Sequence, residues 1–137
     1  MTSAGDIAKE YDLHVIQNVA SSDADTHAIS RGDIVCWDKS NNDGFMQATN
    51  STTGPFGVAL DDADAAGDSI RVLDSGVVWV GKVTGQALHA KEYVEVSSTA
   101  GKVTIFDYSS GTFKDVVGTV VKDAAANDTV VLIKLGM

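Results

Sequence analysis

At 137 residues, 44% of them hydrophobic, the chain is long enough for one domain with its own core and too apolar for wholesale disorder. The formal charge is −9, from 16 Asp and 3 Glu against 8 Lys and 2 Arg. No basic cluster occurs, which argues against a nucleic-acid partner, and a single cysteine excludes an intrachain disulfide.

Eighteen Val against one Pro favour strands over helices. Residues 1–12 lead the chain with acids and no apolar core of a leader peptide, so no secretory signal is expected, and they match nothing later in the sequence. They read as an extended N-terminal arm. Strand-like "LHVIQNV" follows, then "AISRGDIVCW" (28–37), a short third strand, and a pair of strands around the Asp- and Ala-rich "DDADAAGD". The same order then recurs. "ALHAKEYVEV" (87–96) repeats 28–37 at a constant offset, and "GTVVKDAAANDTVVLI" (118–133) repeats "GVALDDADAAGDSIRVL" (57–73) with one residue dropped. The expected fold is all-β: a small β-barrel made of two pseudo-repeats of about 60 residues, 13–73 and 75–135, in a single domain spanning 13–137.

Several motifs invite chemistry and fail on context. "GVVWVGKVTG" (76–85) places Gly76, Gly81 and Lys82 at phosphate-loop spacing. Val83 stands where a Ser or Thr must bind Mg²⁺, and a Val-rich run lies between the glycines, so the stretch reads as a strand with the Lys82 ammonium in water. "DADAAGD" starts like a calcium loop, with Asp62, Asp64 and Gly67, yet Ala66 and Leu73 occupy two ligand positions, so loop 61–68 reads as a solvated turn. His14, His27 and His89 show no metal-ligand spacing. Cys36, between Val35 and Trp37, reads as a buried thiol, and the "RGD" at Arg31 as a turn before a strand. The "NST" and "NDT" sequons carry meaning only in a glycosylating compartment. No catalytic, metal or cofactor residues are expected, and the chain is not expected to be an enzyme.

The apolar distribution says more. "GVVWVGKV" and "TVVLIKLGM" are apolar on both alternating faces, whereas a strand with one wet face alternates. The second face calls for a neighbouring subunit, another protein, or the chain's own loops and arm.

The run from "GDIVCWD" through "GPFGVALDDADAAGDSIRVLDSGVVWVGKVTG" to "VVGTVVKDAAANDTVVLIKL" resembles the small capsid cement, or decoration, proteins of tailed viruses. Gly32, Asp33, Val35, Ala48, Pro55, Gly57, Val58, Ala59, Gly67, Val72, Gly76, Val77, Val80 and Gly118 carry the likeness, which covers about residues 28–135. It implies a trimeric β-barrel on the outer surface of an icosahedral head. There it would clamp the major capsid protein lattice at three-fold positions, after synthesis in the host cytoplasm, with no membrane partner. The acidic coat suits a halophilic source. Candidate capsid or subunit contacts are Ile7, Tyr11, Leu13 and Ile16 as apolar anchors of the arm, with Phe56 and Trp79. A virion binding module for a tail, a fibre or a carbohydrate is the alternative, with Trp37, Phe56 and Trp79 as its aromatic platform.

Overall fold

The computed structural model describes residues 3–6, 14–40, 44–52, 54–109 and 113–136. Short strands rich in β-branched residues alternate with polar turns. The first half contributes β1 (His14–Val19), β2 (Ile34–Trp37), β3 (Phe45–Gln47), β4 (Gly57–Ala59) and β5 (Ser69–Ser75). The second half contributes β6 (Val77–Gly81), β7 (Tyr93–Val96), β8 (Val103–Ile105), β9 (Val116–Lys122) and β10 (Val130–Leu135). The helical elements among the described residues are two 3₁₀ turns, Ser22–Asp25 and Phe113–Asp115. Alternation fixes the faces: in β5, Ile70 and Val72 are buried while Arg71 between them is exposed.

The all-β, two-repeat expectation holds at the level of topology. The sheets run β1-β5-β4-β2-β3 and β6-β10-β9-β7-β8, so adding five to each strand of the first yields the second. All pairings between these strands are antiparallel. Single-residue details repeat as well. The bridge Ile29–Ala63 recurs as Leu88–Ala124. The Asp33 carboxylate accepts the Ser30 N–H at 2.8 Å, and the Glu92 carboxylate accepts the His89 N–H at 2.6 Å. Asp62 and Asp123 likewise accept the N–H groups of Arg31 and Ala90, at 2.7 and 2.8 Å.

Closure into one barrel does not occur; each half completes its own five-stranded sheet. Within each sheet the first strand's end touches the last strand through one parallel bridge, Ala20–Phe45 or Lys82–Val103. The far-edge strands β3 and β8 are three residues long and already paired on one side, which leaves too little backbone for a closing ladder.

The halves join through their cores. Val35, Phe45, Ala59, Ile70 and Val72 form a cluster within the first half. From the same strands Ile34, Cys36, Val58 and Leu73 turn the other way, into a larger cluster with Val80, Val94, Val96, Val103 and Ile133 of the second half. Strands β2 and β4 are therefore dry on both faces, apart from exposed Trp37, whereas β1 and Arg71 of β5 keep the outer face of the first sheet in solvent at that edge. In the second sheet only one face of β6 and β10 is core: Val78, Val80, Val131 and Ile133 are buried, while Val77, Trp79, Val130 and Leu132 are half-buried.

Two equivalent glycines set the strand approach. A Cβ on Gly57 would strike the Leu73 carbonyl, and one on Gly118 would strike the Lys134 carbonyl. Backbone cannot yield as a side-chain tip can, so Gly57→Ala and Gly118→Ala are each expected to cost roughly 1–3 kcal/mol in denaturant unfolding. Gly81→Ala, whose Cβ would meet only the flexible Lys102 side chain at 3.4 Å, should be near neutral.

Candidate functional site

β6 is an edge strand of the second sheet, and an edge exposes unpaired N–H and C=O groups. The N-terminal segment covers it. The Gly5 N–H donates to the Trp79 carbonyl at 2.6 Å, and the Trp79 N–H donates to the Asp6 carbonyl at 2.9 Å. The guanidinium of Arg31 grips the segment from the side, donating to the carbonyls of Ala4 (3.3 Å) and Gly5 (3.0 Å) and to the Asp6 carboxylate (2.9 Å). Asp6 also accepts the Ser3 N–H at 2.7 Å; that bond and then Arg31 hold its carboxyl below the ordinary 3.8. The arginine of the "RGD" turn is thus engaged within the chain.

The comparison between halves explains the neighbouring glycine. Gly32 lies at φ +93°, and a Cβ there would collide with Ala4. Its counterpart is Lys91, at φ +79°, in the same left-handed geometry. The second half accepts the backbone strain of a non-glycine residue there, because no Ala4 lies over it. Next in the chain, Asp33 accepts from Ser30 and from Gln47 Nε2 (2.7 Å), and burial pushes its carboxyl up. The "GD" pair is therefore a seat for the arm followed by a buried acceptor.

Lys82 corrects the sequence reading. It follows β6 as expected of a strand, but its side chain is buried at 2% exposure rather than held in water. Its ammonium donates to the carbonyls of Val83 (3.0 Å), Ala126 (3.2 Å) and Asp128 (3.4 Å), and burial pushes its pKa down. The carbonyls of the 126–128 turn are where they are because residues 118–133 reproduce the Asp-rich loop of the first half. Sequence reasoning missed this pin, because only the fold shows that Lys82 is the counterpart of buried Ala20.

The remaining candidates resolve into local roles. In loop 61–68, Asp68 accepts the Asp64 and Ala65 N–H groups, and Asp61 pairs with Arg71 at 2.8 Å. The histidines stay apart, each beside a different acid: His14 with Asp74 (2.6 Å), His27 with Asp23 (3.2 Å), His89 with Asp123 (3.9 Å). Cys36 is buried, with its thiol toward the Thr52 hydroxyl at 3.5 Å. Among the described residues no group of His, Cys, Asp and Glu is arranged to hold a metal.

Of the proposed contact residues, Ile7, Tyr11 and Leu13 lie outside the described residues. Ile16 sits in β1, half-buried against the first-half core, and Phe56 packs on that same core. Trp37, 39% exposed, stacks on Phe45 at 4.2 Å and meets Phe56 edge-on at 5.3 Å. Trp79 belongs to the other sheet, and no ring contact links it to them among the described residues. The structure therefore assembles Trp37 with Phe56 and not a three-aromatic platform.

Two outcomes are expected. Arg31→Ala should lower the hydrogen-exchange protection of the Trp79 amide by about tenfold, the scale of a lost hydrogen bond to a charged group. In the parent, because Asp6 has a lowered pKa, the same protection should persist above 3.8 and fade as pH drops below it. Second, native-state acylation read by mass spectrometry should spare Lys82 while modifying exposed Lys39, Lys91 and Lys122. Rapid labelling of Lys82 would disprove its burial.

None of the curated proteins matches the chain. The head fiber gp8.5 N base of bacteriophage phi29 shares the fold with a TM-score of 0.60 at 17% identity, over 90% of this chain and 95% of that one. A family described as phage cement protein matches over residues 2–74 and 54–135, one alignment over each half. Those two spans together take in nearly the whole molecule, and the chain belongs to the phage cement protein family.

Proposed function

We propose that the protein decorates the outer surface of a tailed-virus head as a trimer and stabilises the lattice of the major capsid protein. Family membership is the observation that carries this reading. The architecture supports it: two sheets that share a core, an N-terminal segment held at a strand edge, and acids engaged as turn acceptors. A trimer would tie three modest contacts into one slowly dissociating clamp, because each contact raises the effective concentration of the others. No covalent chemistry is needed for this role. The acidic coat would favour solubility at high salt.

A second reading has its own support. The likeness to a head fiber base suits a pedestal on the head that carries a further virion component. Adding the purified protein to undecorated heads distinguishes the two. A cement protein should appear at three-fold positions and raise the temperature at which heads open, by several degrees if each site contributes a few kcal/mol. Occupancy without any gain in head stability would favour the pedestal, and protein left in the supernatant would refute both.

A further inference from the structure

The two halves are copies of one folding unit, so each is a control for the other: a surface position that differs between them is not dictated by the unit's fold. Three differences point the same way. The first is charge: residues 1–75 hold 13 of the 19 acidic and 4 of the 10 basic residues, and residues 76–137 hold 6 of each. The −9 belongs wholly to the first half. The second lies on the outer faces. On β1 and β5, Gln17 stands opposite Arg71; at the equivalent place on β6 and β10, Trp79 stands opposite Leu132. Val121 of β9 is 46% exposed beside them, and Lys122 and Lys134 border the strip without an ion pair among the described residues.

The third difference is in the loop that leaves the third strand of each half, β3 or β8. In the first half it carries Asn50, Ser51 and Thr52. In the second it carries Tyr108 and Phe113, 73% and 60% exposed, both packed on Phe106 at 4.9 and 5.1 Å. The Asp107 N–H donates to Glu95 at 3.4 Å, which fixes this loop on the outer side of β7. The apolar strip and the aromatic loop are thus on the outside of one sheet. Exposed aromatics over a packed ring are typical interface anchors.

We propose that the outside of the second sheet, with Trp79, Leu132, Val121, Tyr108 and Phe113, is the surface that docks on the protein shell of the head, and that the acidic first half faces solvent. This rests on the cement role proposed above. The occupant is an apolar patch of shell protein with carboxylates opposite Lys122 and Lys134 at the strip, while Glu95, Asp107 and Asp115 gather at the aromatic loop and leave that end to apolar contact or to a cation of the shell. A second copy fits less well. Face-to-face pairing through the same surface would be two-fold, at odds with the trimer proposed above, and would leave only the −9 halves to meet the head; a heterologous contact within the trimer is an outcome of the test below.

The fold itself supplies the test variants. Trp79→Gln with Leu132→Arg installs the first half's own pair at the equivalent place, and Tyr108→Ser with Phe113→Ser removes the loop anchors. Each double variant should keep the parent's circular dichroism and lose about tenfold or more in apparent affinity for purified undecorated heads, the scale of one or two interface anchors. Val15→Ser, in the exposed first-half strand, should bind as the parent does. Parent-like binding by both double variants would overturn the assignment. So would parent-like binding accompanied by loss of self-association, which would give the face to a second copy. Failure of the parent to bind any heads would overturn the cement role and this assignment with it.

Discussion

A core shared between the two halves holds the molecule together. A unit of about 60 residues with three- to seven-residue strands buries too small a fraction of its surface to be comfortably stable. Here Ile34, Cys36, Val58 and Leu73 leave their own half and enter the core of the other. Each fully buried Val, Leu or Ile contributes on the order of 1.5–3 kcal/mol, so this shared layer ties the two marginal units together. The close approach at Gly57 and Gly118 belongs to the same requirement, since it lets neighbouring strands draw together at equivalent places in both sheets.

Duplication leaves edges, and the chain treats them unequally. The β6 edge is covered by residues 5 and 6, gripped by Arg31 and seated over Gly32. Among the described residues the second half does not reproduce this arrangement, because the arm precedes only the first copy, and Lys91 takes the place of glycine there. Lys82 is a second departure from symmetry. An ammonium replaces the buried methyl of Ala20 and is held by turn carbonyls, so a polar pin joins β6 to the 126–128 turn. A buried charge is tolerated only with such partners.

The same asymmetry divides the surface. The acids of the first half are spent largely on their own turns, as with Asp62 on the Arg31 N–H and Asp68 on residues 64 and 65. They add charge without building a site. The second half is neutral and carries the two most exposed aromatics among the described residues. A body with one acidic and one net-neutral half has a built-in orientation toward a partner, which a uniformly acidic body would lack.

Much of this was legible in the sequence: the all-β class, the repeat and the strand at 77–81 follow from period-two patterning and from matches such as 28–37 with 87–96, whereas the one-residue drop read between 57–73 and 118–133 does not carry through to the closing strands, where Val72 and Ile133 take equivalent places. Those signals survive because local backbone chemistry imposes them. Patterning said nothing of closure, and two open sheets replaced the expected barrel because strand length and edge pairing are set by tertiary contacts. It also left Lys82 in water and Arg31 in an idle turn, because a long cationic side chain reads as exposed until the carbonyls that receive it are known. The sequence by itself determined what repeats. Only the tertiary structure decided where the copies differ, since an edge, a buried ammonium or a glycine under Ala4 exists only once distant segments are brought within a few ångströms of one another.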